Sequence, residues 1–470
     1  MASLAVPYDA LLYTENDDVY LAWKNSLKGE QDKLEEFVAG RINGRGPAKL
    51  VCSDEGTYNM VFRFHFDSGG NDVALRCPKP GHAASSLAAE KTEDEVAWMA
   101  FLAENTNIPL PRVYSFSFGT APAGSLSPLG LAHILMDWVP GDMSLREFLR
   151  SDPPNEVRLH IYRQVASIYI QLYNLPPLSR IGSVAKDTAT GRWDVKKRPL
   201  TIDMHQFAIG IPELSIGHWP AQPLESSSAY FDFVKLQQQV QLWDLRNLND
   251  PPEASGPSKP PDSSERSAEI ARRRFKARYG FSQLVTKFVE AESNLGPFRV
   301  FIPDLDSRNM LVDAATGDIT GVIDLEFANA MPAQFACDPP LWLGKILPEQ
   351  CLDRGYFPWF RQQYEPLLDQ FLDAMRSEEE GQPTTLLGQM PLSTHMKNSW
   401  TSDRVWFDYA ATHTDQVDSV YWAVLYKHHA QGVVPDLPEP LAEELESYLQ
   451  HTAKQLVAYE EAWDKHNETA

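Results

Sequence analysis

The 470 residues are 43% hydrophobic and 23% charged, values of a globular chain long enough for two or three domains. Lys and Arg number 42 against 64 Asp and Glu, a net charge of −22, which argues against nucleic acid or an anionic membrane surface as a partner. The four cysteines (Cys52, Cys77, Cys337, Cys351) are scattered without a C-x-x-C spacing, which argues against structural zinc and fits a reducing compartment.

From the N-terminus, residues 1–28 read as irregular. The first twenty hold no Lys or Arg, so neither a signal peptide nor a presequence is expected, and the cytoplasm is the expected location. Residues 29–41 predict a short amphipathic helix with Leu34, Phe37 and Val38 on one face. Strands are predicted at 49–53, 60–66 and 72–77. The turn Glu55-Gly56-Thr57-Tyr58-Asn59 joins the first two, and Ser68-Gly69-Gly70-Asn71 closes a hairpin. Residues 88–104 form a strong helical pattern, with Val96, Met99 and Leu102 aligned. A strand at 131–138 leads to Val139-Pro140-Gly141. Helices are predicted at 144–151 and 156–174, the second with core spacing at Val157, Ile161, Val165, Ile168 and Leu172. Residues 182–224 read as loop-rich, and 231–245 as a helix. The Pro/Ser-rich stretch 249–268 predicts a flexible insertion, followed by a helix to 294. Helices are predicted near the C-terminus at 356–376, 403–411, 415–429 and 441–463. No apolar run approaches the ~18 residues of a membrane-spanning helix.

Residues 300–328 carry a different pattern: strand, acidic loop, strand, turn, strand, acid. The apolar run 298–302 enters a loop holding Asp304 and Asn309. Met310-Leu311-Val312 makes a short strand, Asp313 to Asp318 a polar turn, and Ile319 to Ile323 a strand that ends at Asp324. Such a hairpin puts Asp304, Asn309 and Asp324 at one end of a small sheet. Phosphoryl transfer needs that set: one carboxylate to orient and deprotonate a hydroxyl, and an amide with a second carboxylate to hold Mg²⁺.

The run D-L-x-x-x-N, two strands and then I-D resembles the catalytic core of the aminoglycoside phosphotransferase (choline-kinase-like) family, which shares the protein-kinase fold. The resemblance implies an α+β, bilobal architecture. An N-terminal extension (1–29) would precede a strand-rich, nucleotide-binding N-lobe (30–136) and a mainly helical C-lobe (137–470). Asp304 matches the catalytic Asp, and Asn309 and Asp324 match the metal ligands. Ile302 stands where the family usually carries His. By the same match, Gly56, Thr57 and Asn59 lie in the loop that covers the phosphates. Arg76 closes V-A-L-R, where such enzymes hold a basic residue, usually Lys, for the α/β-phosphates and a helix Glu. Arg keeps the charge and brings a planar fork. Glu95, in E-V-A-x-M, is the expected partner, with Glu93 competing. Residues 108–114 resemble the family's I-P-V-P-x-V segment. The carbonyl of Asp137 and the N–H of Val139 would bind adenine.

Leu325-Glu326 stands where protein kinases have Phe-Gly, and no Ser, Thr or Tyr lies between Asp324 and Leu343. This favours a small-molecule kinase over a protein kinase. Asp338 is expected to anchor the catalytic loop. The implied activity is ATP-dependent transfer of the γ-phosphoryl, with Mg²⁺, to a small-molecule hydroxyl acceptor. No protein partner is evident. Asp403, Asp408, Asp415 and Asp418 are candidates for holding a cationic acceptor, while His413, His428 and His429 lack a metal spacing. Ile302, Arg76 and the Gly-poor loop motivate an alternative, a nucleotide-binding pseudokinase scaffold without turnover. Against it, Asp304, Asn309 and Asp324 are all kept.

Overall fold

Alternation of Met60, Phe62, Phe64 and Phe66 with Val61, Arg63 and His65 gives one strand a fully apolar face, and the N-terminal half is built on it. In the computed structural model, residues 9–119, 130, 132–246, 264–289, 291–352, 355–381, 390–429 and 437–469 are described. Strands β1 (Ala48–Glu55), β2 (Asn59–Phe66), β3 (Val73–Pro78), β4 (Val113–Phe118) and β5 (Ala132–Asp137) form an antiparallel sheet in the order β1-β2-β3-β5-β4. Arg76 on β3 faces Val61 on β2 and Ile134 on β5, so it sits in the middle of the sheet. Helix α3 (Ala88–Asn105) covers one face, with Trp98, Met99 and Leu102 buried.

The other face is covered by α1 (Ala10–Leu27) and α2 (Gln31–Ala39), through buried Tyr20, Trp23, Leu27, Leu34 and Val38. Helix α1 corrects the expectation of an irregular 1–28 beyond residue 9; residues 1–8 lie outside the described residues. Its apolar stripe is short, with Tyr20, Trp23 and Leu27 three and four residues apart. The helix starts at the Asp9 cap, whose side chain accepts from the Leu12 N–H (3.0 Å); Ala10 and Leu11 are buried in its first turn, and the run 14–18 that follows is polar. The helix exists because this short stripe meets the sheet.

The second half is mainly helical. Strand β6 (Met143–Ser144) follows the connection out of β5 and runs into α4 (Leu145–Arg150) and α5 (Asn155–Tyr173). The segment 182–224 is more ordered than its composition predicts. It holds a hairpin, β7 (Ser183–Lys186) with β8 (Trp193–Lys197), and helix α6 (Ile202–Gly210). Helices α7 (Ser227–Asp244) and α8 (Ser264–Phe288) follow, and most of the proposed flexible insertion, 249–263, lies outside the described residues. Strands β9 (Phe298–Phe301), β10 (Met310–Val312), β11 (Ile319–Val322) and β12 (Asn329–Pro332) carry the acidic hairpin; β10 lies between β11 and β6, and β12 pairs with β9.

Helices α9 (Glu349–Leu352), α10 (Phe357–Glu380), α11 (Leu392–Thr401) and α12 (Arg404–Thr412) come next. The expected helix 415–429 is broken into α13 (Val417–Val420), a π-helical turn at Tyr421–Leu425, and α14 (Tyr426–His429). Helix α15 (Glu439–Thr469) ends the chain. The architecture is α+β and bilobal. No helix among the described residues is long and apolar enough to cross a membrane, and all four cysteines are free.

Candidate active site

The hairpin delivers its polar residues as its pattern predicts. Buried β9 runs through Ile302, which is packed at the position usually held by His, into the loop at Asp304. Asp306 caps the next turn, its side chain accepting from the Arg308 N–H (2.8 Å). Trp342 Nε1 donates to the Leu305 carbonyl (2.8 Å), so this loop is anchored by an indole. Asp338 binds elsewhere, accepting from the Ser399 hydroxyl with Arg404 3.8 Å away.

Asn309 Nδ2 donates to Asp304 Oδ2 (2.9 Å) and to the Asp304 carbonyl (3.0 Å), bonds in which the amide oxygen takes no part. The Ile323 N–H donates to the Asn309 carbonyl (2.9 Å) and brings the end of β11 against the same loop. The next residue, Asp324, holds φ +64°, an uncommon conformation for a side-chain-bearing residue and one that recurs at functional sites. Its Oδ1 is buried without a hydrogen bond, with Arg76 Nη1 3.5 Å away.

Burial raises both acids of the hairpin. Loss of solvation, then repulsion from Asp324, pushes Asp304 up to about 7 against the pull of Arg308. Asp324 is also pushed up, by burial and then by Glu326, against Arg76 and Lys91. Arg308, which the sequence reading passed over, has Nη2 3.2 Å from Asp304 Oδ1. Its position directly before Asn309 was the available signal.

The N-lobe side is a buried charge network. Arg76 Nη1 and Nη2 donate to Glu95 Oε1 (2.6 Å) and Oε2 (2.7 Å), a bidentate pair. Arg76 Nη2 also donates to Glu326, which accepts from Asn59 Nδ2 (2.6 Å) and lies 2.9 Å from the Lys91 ammonium. Burial opposes ionisation of Glu326, but Lys91 and Arg76 outweigh it and bring the group down to about 2. At Glu95 burial prevails over Arg76 and raises the group to about 7. Glu326 and Lys91 were not anticipated, because each meets its partners only after the lobes pack. Lys91 lies one helical turn before Glu95, and that spacing was the one hint.

The remaining expected residues sit as follows. Gly56 and Thr57 lie at the turn between β1 and β2, where the Gly56 N–H donates to the Asn59 carbonyl (2.8 Å) and Thr57 is exposed. The Asn59 side chain turns inward to Glu326. Asp137 ends β5, its carboxylate accepting from the Tyr114 hydroxyl (2.5 Å) and the Arg112 N–H (3.1 Å). Val139 follows in the connection and packs so closely on β11 that a Cβ at Gly321 would stand 2.3 Å from its Cγ1.

Three carboxylates (Glu95, Asp324, Glu326) against two cations (Arg76, Lys91), with Asp304 beside them, leave an acidic excess. Asp324 Oδ1 makes no hydrogen bond, its nearest cation being Arg76 at 3.5 Å, and carboxylate and amide oxygens are hard ligands of the kind that suits Mg²⁺.

Beside Asp304 opens a cavity of about 210 Å³. Tyr169, Tyr173, Trp342, Tyr409 and His413 give it aromatic walls, and Asp304, Asp306, Asp338, Asp408 and Glu349 make it acidic. Of the four Asp proposed for an acceptor, Asp408 alone lines this cavity. Asp403 accepts from His428 (2.7 Å) and His429 (2.9 Å), Asp415 accepts from Gln416 (2.7 Å), and Asp418 pairs with Arg274 and Arg278. The Asp403, His428 and His429 ligand atoms do come together, but the Lys287 ammonium lies 2.7 Å from His429 Nδ1. Accepting there, the ring keeps its proton on the other nitrogen and offers no lone pair to a cation.

A family model described as the phosphotransferase enzyme family matches residues 54–335. Among solved structures the chain is similar to an aminoglycoside-3'-phosphotransferase of type VIII, at 16% identity and TM-score 0.37, covering 83% of this chain and 99% of that one. It is similar to a Plasmodium vivax ethanolamine kinase, at 10% identity and TM-score 0.41, covering 89% and 83%. It is also similar to a microcompartment-associated aminopropanol kinase, at 14% identity and TM-score 0.39, covering 88% and 93%. No curated protein matches the sequence.

Proposed function

The chain belongs to the phosphotransferase enzyme family, and from that premise we propose that it is a small-molecule kinase moving the γ-phosphoryl of ATP to an alcohol. The observation that carries this reading is the convergence of Asn309 and Asp324 on Asp304, which itself lines an aromatic, acidic cavity. Asp304 orients the acceptor hydroxyl and takes its proton as the acceptor oxygen bonds to phosphorus and the bond to the departing ADP breaks. Asn309 and Asp324 supply oxygen ligands for Mg²⁺, which when bound neutralises phosphate charge. Glu95 and Glu326 take up the Arg76 fork and fix its positive charge for the phosphates, and Arg308 stands beside Asp304 where charge spreads over the transferring group. The turn at Gly56 and Thr57 covers the nucleotide, and the Asp137 carbonyl and Val139 N–H hold its base. The unpaired cysteines favour the cytoplasm as its compartment.

The cavity favours an acceptor that carries a positive charge beside its hydroxyl. Burial, then repulsion from Asp338, holds the Asp408 carboxyl well above the usual range, and one face of Arg404 is shared between the two acids. A cation entering there would meet acids and aromatic faces.

The test is ADP release from Mg·ATP over a panel of alcohols, with and without an amine. Acceptor-dependent release that is largest for amine-bearing alcohols is expected. Release that no acceptor stimulates, or stimulation by protein substrates only, contradicts the reading.

A further inference from the structure

Helix α3 carries Glu95 and Lys91, so the geometry at Arg76 depends on where α3 lies. Its outer side is negatively charged, with Glu90, Glu93, Asp94 and Glu104. The hairpin β7–β8 and the residues after it lay cations along that side. Arg198 Nε and Nη2 donate to Glu90 Oε1 (2.7 Å) and Oε2 (2.6 Å), a bidentate pair. The Lys197 ammonium lies 2.8 Å from Glu93 and 2.9 Å from Asp94. Trp193 Nε1 donates to Glu104 (2.8 Å), and its ring meets Phe101 edge-on at 5.7 Å. Helix α6 adds His205 Nε2, which accepts from the Ala84 N–H (3.2 Å) just before α3.

The hairpin is anchored to the C-lobe beside the metal-binding loop. The Gly182 N–H donates to the Ala330 carbonyl (3.1 Å) and the Ala330 N–H returns to Gly182 (2.8 Å). Gly182 holds φ +145°, and a Cβ there would stand 2.1 Å from the Lys197 carbonyl oxygen, so glycine is needed for this approach. Asn329 Nδ2 donates to the Leu200 carbonyl (2.8 Å). Asn329 and Ala330 belong to β12, which follows Asp324 and Glu326. One connected path therefore runs from the loop of Asp324 through β12 and the hairpin to α3, and through Glu95 back to Arg76.

We infer that the β7–β8 hairpin and Arg198 are positioning elements, which hold α3 so that Glu95 and Arg76 stay aligned for the nucleotide phosphates. The claim rests on the phosphotransferase reading of the site. Arg198–Glu90 carries most of the effect, being bidentate with both side chains at least three-quarters buried (20% and 25% exposed). The contact of Lys186 with Glu104 is exposed on both sides (43% and 46%) and, as a surface ion pair, adds little.

The experiment compares wild type, Arg198→Glu, Glu90→Arg, the double charge swap and the milder Arg198→Gln. Hydrogen exchange of the amides at 88–105 is measured in the free proteins, and affinity for Mg·ADP by calorimetry. Each single charge reversal is expected to speed α3 exchange and weaken Mg·ADP by about tenfold, within the usual span of coupling between sites. Arg198→Gln shows a smaller shift of the same sign and serves if the reversal fails to fold. The double swap restores both readouts, which a loss of packing alone would not do. Unchanged α3 exchange and Mg·ADP affinity in the single variants overturn the inference, as does a folded double swap that restores neither. A wild type without Mg·ADP affinity overturns the phosphotransferase reading and the coupling with it, whereas affinity that Arg198→Glu leaves intact overturns the positioning role alone.

Discussion

The two sides of the cleft acquire their charges by opposite routes. On the C-lobe side Asp304, Asn309 and Asp324 come from one hairpin, and the bonds that fix them are local: Asn309 to Asp304, and Ile323 to Asn309. On the N-lobe side Arg76, Lys91, Glu95 and Glu326 come from β3, α3 and the loop after β11, and the Arg76–Glu326 contact spans 250 positions. A local constellation forms whenever its hairpin forms. A distributed one exists only while several elements hold their relative positions, so the two sides should answer differently to substitution.

The largest difference should appear in turnover. Asp304→Asn alters one atom of the local set, and its kcat is expected to fall by ~10²–10⁴, with Mg·ADP affinity unchanged and no loss of stability. Steady-state kinetics beside calorimetry checks this, and parallel loss of rate, binding and stability would erase the contrast.

Glu326→Gln attacks the distributed set. It leaves Arg76 and Lys91 buried with one carboxylate fewer, and breaking a buried ion network in this way costs about 3–5 kcal/mol. Urea unfolding measures the loss, and Lys91→Met in the same background should recover part of it by removing the stranded cation. Additive losses in the double variant would show that the two residues do not share a network.

Glycines on the N-lobe side sharpen the comparison further. A Cβ at Gly81, at φ +82°, would stand 2.2 Å from the backbone oxygen of Asn16 on α1, whereas one at Gly56 meets only the Asn59 oxygen at 3.5 Å. Gly81→Ala should therefore destabilise by about 1–3 kcal/mol, and Gly56→Ala should leave the unfolding midpoint within the error of the measurement. An equal response at both positions would remove α1 from the N-lobe support.

The most gradual effect, smallest when read per pH unit, is a pH dependence at α6. Burial, then Asp415, pushes the Asp203 carboxyl from its ordinary 3.8 up to about 7, against hydrogen bonds from Thr414. An acid whose folded value is raised favours the folded state while protonated. Its contribution is intact below the ordinary value and is lost as pH climbs toward 7. Relative to Asp203→Asn, wild type should lose up to about 1 kcal/mol of stability per pH unit across that window. Parallel stability profiles for the two proteins would contradict the raised value.

The same contrast explains what could be read in the sequence. The hairpin was legible because strand, loop and turn residues alternate over a continuous stretch, and the Arg76–Glu95 pair because a strand-end cation and a helical acid are both expected in such a fold. Glu326 was invisible as a partner: it looks like a loop acid until Asn59, Arg76 and Lys91 close around it. Helix α1 was missed because its buried residues fall into two separated groups, Ala10 and Leu11 and then Tyr20, Trp23 and Leu27, with the polar run 14–18 between them. The hairpin within 182–224 was missed because its strands are only four and five residues long, too short for the alternation of Trp193 and Val195 with Asp194 and Lys196 to stand out.

The most direct test of the central claim is phosphorus NMR of the protein with Mg·ATP and an amine-bearing alcohol, wild type beside Asp304→Asn. The account predicts a phosphomonoester resonance that grows with ADP in wild type and is absent in the variant over the same time. ADP appearing only with inorganic phosphate, or equal product from both proteins, would contradict phosphoryl transfer by Asp304.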